Sequence, residues 1–218
     1  DRKKMSKSKG NVVTPKELLE KYGSDAVRYW ADSARLGTDA AFDEGEIKIG
    51  RRLAIKLLNA SKFALSLASL EGDLPLDPAM VTEEVDAATL AALAEVIETS
   101  TKALDKYEHA RALETTETFF WTFCDDYIEL VKDRAYNSEG EFSAEASRSA
   151  RATLGLVVDA SIRLLAPYLP FSAEEAWSWY RPGSVHVSPW PVAANYLETP
   201  ATGNPAVLDV TSEALTRL

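Results

Sequence analysis

Residues 44–70 read EGEIKIGRRLAIKLLNASKFALSLASL, a run without proline in which apolar residues return every three or four positions. At 100° per residue, one face of this run is apolar and is formed by Leu53, Leu57, Ala60, Ala64, Leu67 and Ala68. The other face carries Lys48, Arg51, Arg52, Lys56, Asn59 and Lys62, and no acidic residue of the run lies between the first and the last of them. The run therefore predicts a long helix with one packed face and one face of a single charge sign.

Six further helices are predicted from capping residues, proline positions and apolar periodicity. Five of them span residues 15–22, 24–35, 109–135, 143–165 and 172–179. The sixth begins at residue 82 or 86 and ends at residue 107. Thr14 with Glu17, and Ser172 with Glu175, have the spacing of capping boxes, and Ser24 has the position of a helix cap. Residues 185–187 are predicted as a brief extended segment and residues 205–218 as the start of another helix.

These elements predict an all-α antiparallel helix bundle with short N-terminal helices and a small irregular C-terminal appendix. The predicted parts are residues 1–40 (connecting helices), 41–192 (bundle) and 193–218 (linker and start of a helical arm).

The helix predicted over residues 109–135 is rich in aromatic side chains, and these allow two interpretations. Phe119, Phe120, Trp121, Phe123 and Tyr127 could stack on nucleic-acid bases. However, Leu113, Phe120, Cys124, Tyr127 and Val131 follow one another at helical spacing, which favours a packed core stripe.

The net charge of the chain is −10, and it is unevenly distributed. Residues 1–62 hold 14 Lys and Arg against 9 Asp and Glu, whereas residues 63–218 hold 10 against 25. A net charge of this sign is unusual for a protein that binds nucleic acid, so any such contact is expected through the N-terminal stretch and selected faces only. Cys124 is the only cysteine, which excludes an internal disulfide, and no signal peptide or membrane-spanning apolar run is present. These features predict a cytoplasmic protein without membrane partners.

A second informative segment is Lys4-Met5-Ser6-Lys7-Ser8, which is followed by Gly10-Asn11. It offers two ammonium groups, two hydroxyl donors and a glycine that lets the backbone fold closely over a ligand. Ammonium groups are compact charges for phosphate oxygens, so this composition predicts contact with a triphosphate. A flexible basic N-terminus is the simpler alternative.

The segment resembles the KMSKS signature of the class I aminoacyl-tRNA synthetases, a loop that stabilises the transition state of amino-acid adenylation by ATP. Later segments resemble the valine-specific branch of this family, in the same order. They are residues 14–19, 22–30, 42–44, 59–63, 126–132, 165–171 and 185–191.

The resemblance implies that Lys7 meets the leaving pyrophosphate, that Lys4 assists it, and that Met5, Ser6 and Ser8 also contact ATP. The parent enzyme would use ATP with Mg²⁺ to activate valine and would esterify it to tRNA(Val). Neither His109 nor His186 lies in the HIGH-type motif of the family's nucleotide-binding domain. We therefore expect a fragment that is not catalytic alone, and we predict no metal ligands in it.

By the same resemblance, the first long helix of the bundle faces the tRNA. Two groups of residues are predicted to bind it, Arg51, Arg52, Lys56, Asn59 and Lys62 on that helix, and Lys132 and Arg134 at a later helix end. Lys62 follows Ala60-Ser61 where the methionyl relative has an arginine. Lysine lacks the planar fork of arginine, so bidentate reading of a base by Lys62 is not expected.

Other interpretations stay open at this point. The chain could belong to an isoleucyl-, leucyl- or methionyl-type relative. It could also be a non-enzymatic helical interaction module whose basic start binds phosphate incidentally. The basic stripe of the helix over residues 44–70 could be an ordinary solvated helix face.

Overall fold

The computed structural model describes residues 14–38, 42–68 and 76–208. Within these ranges the protein is all-α, which confirms the predicted fold class. The α-helices are α1 (Pro15–Tyr22), α2 (Ser24–Asp32), α3 (Glu44–Ala68), α4 (Glu84–Asp105), α5 (His109–Thr122), α6 (Ile128–Tyr136), α7 (Ala144–Leu165) and α8 (Pro170–Ser178).

Helices α3, α4, α5 with α6, and α7 form the bundle, and successive helices run antiparallel. The end of α6 contacts the start of both α4 and α7, because Arg134 bonds to Asp86 and to the carbonyl of Ala146. Helix α7 lies at the centre and is buried on almost every side. The predicted apolar face of α3 is buried throughout, as are the five residues of the predicted α5–α6 core stripe.

Helices α5 and α6 are joined without a break by a π-helical turn, Phe123–Tyr127. The sequence predicts this stretch as one helix over residues 109–135, and the outer limits are right to within one residue. The wider turn adds a residue to the local repeat and therefore rotates α6 relative to α5. Within it, the rings of Phe123 and Tyr127 stack at 5.7 Å. The aromatic residues Phe120, Phe123 and Tyr127 are thus core residues, as the packing interpretation expects.

Several predicted details differ from the structure. Neither Thr14 nor Ser24 makes a side-chain capping bond, and α2 ends at Asp32, three residues earlier than expected. Ser172 lies inside the first turn of α8, because Pro170 already occupies the start of that helix. Residues Val185–Val187 form a 3₁₀ turn and not an extended segment, since the Ser184 side chain accepts a bond from the His186 amide.

The segment after α8 lies along α4. Trp190 donates its Nε1 hydrogen to Thr101 Oγ1 at 2.9 Å, and Tyr196 is buried in the 3₁₀ turn Ala193–Tyr196. A Cβ at Gly203 would lie 2.2 Å from the Ala87 carbonyl oxygen, so only glycine allows this approach. Residues 206–208 are helical, and the rest of the predicted C-terminal helix lies outside the described residues. In the ranges that the structure covers, no helix has the length and apolarity needed to cross a membrane.

Cys124 is a buried core residue of the π-helical turn, as predicted. Burial raises the pKa of the Cys124 thiol to about 12. We expect an aromatic disulfide reagent at pH 8 to react with the native chain at least about a hundredfold more slowly than with the urea-unfolded chain, because only the thiolate attacks. Absorbance of the released thiol measures both rates. Equal rates in the two states would contradict this placement.

Candidate nucleic-acid interface

The two sequence-predicted sites fall on different parts of the chain. The triphosphate motif, with Lys4, Met5, Ser6, Lys7 and Ser8, lies outside the described residues. The predicted tRNA-binding residues all lie within them, on α3 and α6. The geometry of the interface therefore concerns the bundle.

The exposed face of α3 carries three polar side chains that point to solvent. Arg52, Asn59 and Lys62 are exposed and make no hydrogen bond or ion pair within the described ranges. Arg52 and Lys62 are ten residues apart, which corresponds to about 15 Å along a helix. Ile55 lies between them on the same face and is 47% exposed. This surface, which we call the α3 face, offers two cations and one amide to a partner.

Three other cations of the predicted stripe are already engaged by the protein. Arg51 donates to the backbone carbonyl of Lys21 at 2.5 Å, next to the C-terminal end of α1. Lys56 pairs with Asp125 at 2.7 Å and lies 5.6 Å from the centre of the Trp121 ring. Lys48 lies 4.0 Å from Glu44.

The environment of Lys56 makes it a packing contact between α3 and the π-helical turn. Burial lowers the pKa of the Lys56 ammonium, but the hydrogen bond and charge of Asp125 raise it, and the net shift is upward. The Lys56 ammonium is thus already paired within the protein. Although the α3 sequence has no acid between Lys48 and Lys62, the fold brings Asp125 to one edge of the basic stripe.

The two cations predicted at the end of α6 also have partners. Lys132 pairs with Glu129 at 2.6 Å on the surface. Arg134 makes a two-pronged contact with the carboxylate of Asp86, at 2.8 and 2.6 Å. The Arg134 side chain is only 11% exposed and that of Asp86 is 0% exposed. Arg134 is therefore directed into the bundle, and its geometry favours a structural role over RNA contact.

Asp86 is the centre of a fully satisfied polar cluster. Besides Arg134, it accepts bonds from Tyr127 Oη at 2.8 Å and from Ser149 Oγ at 2.6 Å. Ser149 Oγ in turn accepts from the backbone amides of Thr82 and Glu83 just before α4. This cluster joins α4, α6 and α7 at the end of the bundle that also holds Lys62.

An aromatic pair that the sequence pattern did not predict lies at this same end. Phe63 and Tyr136 contact each other edge to face with ring centres 6.0 Å apart, and Tyr136 is 47% exposed. Beside it, the side chain of Asn137 holds the following loop through two hydrogen bonds to the backbone of Phe142. A cavity of about 400 Å³ is lined by Tyr136, Asn137, Phe142 and acidic residues of the loop. Tyr136 is the last residue of α6, and an aromatic residue at a helix end is the signal that could have indicated it.

At this end of the bundle, Lys62 has no partner among the described residues and is followed in sequence by Phe63, whose ring contacts the exposed Tyr136. Bases that are splayed out of a single-stranded loop are commonly bound by aromatic stacking and nearby cations. Among the described residues, no group of His, Cys, Asp or Glu side chains is arranged to hold a metal ion. The arrangement is suited to binding an RNA backbone or loop.

Comparison with known proteins gives two family matches. Residues 86–216 match the family described as the anticodon-binding domain of tRNA ligase. Residues 1–43 match the family described as class I tRNA synthetases for isoleucine, leucine, methionine and valine.

Individual relatives agree with these matches. The chain is 60% identical to a valine–tRNA ligase of Thermobifida fusca over 215 residues, which cover 99% of this chain and 24% of the relative. It is 52% identical to a valine–tRNA ligase of Cutibacterium acnes over 218 residues, which cover 100% of this chain and 24% of that relative. The chain therefore spans about a quarter of the length of these curated relatives.

A solved structure supports the fold. A leucyl-tRNA synthetase from Agrobacterium radiobacter, crystallised as a ternary complex with tRNA and LeuAMS, superposes with a TM-score of 0.71. The superposition covers 90% of this chain and 23% of that protein at 18% sequence identity.

Proposed function

Because the chain belongs to the family of anticodon-binding domains of tRNA ligases, we propose that it is the tRNA-binding part of a valine–tRNA ligase. The whole enzyme activates valine with ATP, accompanied by Mg²⁺, and esterifies the valine to tRNA(Val) in the cytoplasm. Identity of 60% over 99% of the chain to a valine–tRNA ligase supports this choice among the class I relatives.

Within the enzyme, the segment Lys4–Ser8 acts on ATP. Lys7 neutralises charge that develops on the departing pyrophosphate, and Lys4 assists it. Ser6 and Ser8 supply hydroxyl donors, and Met5 also contacts ATP. These roles come from the chemistry of the side chains and from the match of residues 1–43 to the class I family.

The α3 face is the part of the bundle that meets the tRNA. One observation carries this proposal: Arg52, Asn59 and Lys62 share a helix face and have no partner within the described ranges. A helix face that contacts only solvent does not need unpaired donors whose charges all have the same sign. Arg51, Lys56 and Lys132 add positive charge near the RNA, although each already has a partner within the protein. Arg134 supports the bundle from inside.

The α3 face can be tested by replacing Arg52 and Lys62 together with alanine. We expect weaker binding of a tRNA(Val) transcript and a salt dependence that is flatter by about one unit of slope for each lost phosphate contact. Fluorescence anisotropy at several salt concentrations measures both quantities. Adenylation of valine without tRNA should stay near the wild-type rate.

The matched control replaces Lys102 and Lys106, two exposed lysines near the far end of α4. This pair removes the same net charge and should leave the salt slope nearly unchanged. Equal effects of the two double variants would mean that net charge alone matters and would remove the α3 face from the proposal. Within the first pair, Lys62 should also affect discrimination between tRNAs that differ in the anticodon, whereas Arg52 should act uniformly.

A further inference from the structure

The C-terminal end of α6 is held by an arginine from a different helix. Arg151 of α7 donates its Nε hydrogen to the carbonyl oxygen of Ala135 at 2.7 Å, and its Nη2 lies 3.5 Å from the carbonyl oxygen of Tyr136. The last four carbonyls of a helix have no partners inside the helix, and this end of a helix favours a positive charge. Arg151 supplies both a donor and a charge at this position.

The contact is made in the interior of the bundle. Arg151 is only 8% exposed and Ala135 is 0% exposed. Because a buried carbonyl without a donor is costly, the guanidinium stabilises this end of the helix. Asn137 then closes α6 in the left-handed conformation, with its amide donating to the carbonyl of Asp133 at 2.8 Å. The backbone on both sides of Tyr136 is therefore fixed.

Tyr136 is the residue whose position these contacts set. Its ring contacts the ring of Phe63 on α3 and is still 47% exposed. It also lines the cavity of about 400 Å³ at this end of the bundle. The ring is thus supported from α3 and remains accessible to a ligand, and Phe63 directly follows Lys62 of the α3 face.

We propose that Arg151 is a positioning residue that holds Tyr136 where its ring can stack on a base of the tRNA loop bound by the α3 face. This inference rests on the proposed function. Stacking contributes to the binding of an unpaired base only when the aromatic ring is held in place. Because Arg151 is buried, it acts through the end of α6 and does not touch the RNA.

The experiment uses the full-length enzyme and a hairpin with the anticodon stem and loop of tRNA(Val). The variants are Arg151→Ala, Tyr136→Ala and the two changes combined. Arg163→Ala is the matched control, because Arg163 is another largely buried arginine of α7 but lies in its last turn, where it bonds to Asp159 and to the carbonyl of Pro189. Fluorescence anisotropy gives the hairpin affinity and its salt dependence, and calorimetry gives the melting temperature of each variant.

Tyr136→Ala should weaken hairpin binding at least about fivefold, which is the lower end of the loss expected for one base–aromatic stack. Arg151→Ala should weaken it at least about threefold. In the Tyr136→Ala background, however, Arg151→Ala should add less than about 1.5-fold, because two residues that act through the same contact are not additive. The salt slope should keep its wild-type value, since no phosphate contact is lost.

A conservative variant and the control complete the test. Arg151→Lys keeps a positive charge and a donor near the Ala135 carbonyl and should recover part of the affinity. Arg163→Ala should bind the hairpin within about twofold of wild type, even where its melting temperature falls as far as that of Arg151→Ala.

Three results would overturn the inference. The first is wild-type hairpin affinity in Arg151→Ala, and the second is an effect of Arg151→Ala that multiplies with that of Tyr136→Ala. The third is an equal loss of affinity in Arg163→Ala at an equal fall in melting temperature, since Arg151 would then act through general stability. Failure of the wild-type enzyme to bind the hairpin would instead overturn the proposed function of the bundle. The two failures are thus distinguishable.

Discussion

Replacing Lys7 with alanine in the full-length enzyme is expected to slow the formation of valyl-adenylate by about a hundredfold or more. In the proposed role, the Lys7 ammonium acts mainly on charge that develops on the phosphates as the bond to pyrophosphate breaks. A group that acts on the transition state lowers kcat when it is removed and leaves the binding of the amino acid largely unchanged. The affinity for valine should therefore stay close to the wild-type value.

Single-turnover formation of the adenylate, measured over a range of valine concentrations, separates the rate from the affinity. Lys3→Ala is the matched control, since it removes a neighbouring lysine outside the motif. A defect confined to the KM for valine would remove Lys7 from the proposed role. Equal effects of Lys3→Ala and Lys7→Ala would favour the simpler alternative of a basic segment that attracts phosphate without specific geometry.

The helices and the core of this protein could be predicted well from local patterns. Leu53, Leu57 and Ala64 repeat at helical spacing and are all buried on α3. Periodicity and proline positions are properties of neighbouring residues, so they can be recognised in a single sequence. Periodicity and proline positions do not mark the π-helical turn at Phe123–Tyr127, whose last residue bonds to Asp86, 41 residues earlier.

Helix caps, too, could not be predicted from neighbouring residues alone. Ser172 and Glu175 have the spacing of a capping box, but the cap of α8 comes from Asp25, 147 residues earlier in the chain. A local pattern competes with any distant side chain that the fold brings to the helix start, and the sequence does not show that competitor. The two N-terminal residues predicted as side-chain caps, Thr14 and Ser24, also make no capping bond.

The candidate site could be predicted only in part for a related reason. The positive face of α3 is visible as a repeat of Lys and Arg, yet the acid that engages Lys56 comes from another element. Asp125 engages Lys56 across 69 residues. The contact between Phe63 and the exposed Tyr136 joins two helices that are far apart in sequence. Side chains that remain free can be identified only after these long-range partners are known.

Arg134 is the residue for which sequence and structure suggest the most different roles, and its replacement by alanine is expected to have a large effect on stability. The change leaves the Asp86 carboxylate, which is 0% exposed, without its cation. Breaking a buried ion pair from one side costs about 3–5 kcal/mol, because the remaining charge stays uncompensated. We therefore expect the free energy of unfolding of the chain to fall by about this amount in urea denaturation followed by circular dichroism.

Two matched variants determine the cause of that loss. Lys132→Ala breaks the exposed pair with Glu129 and should cost at most about 1 kcal/mol. Adding Asp86→Asn to Arg134→Ala should recover part of the stability, because the amide carries no charge and its single oxygen can still accept from one of the two hydroxyls, Tyr127 Oη or Ser149 Oγ. Near-normal stability of Arg134→Ala, combined with a flatter salt dependence of tRNA binding, would contradict the structural role. It would instead make Arg134 an RNA contact, as the sequence pattern predicts.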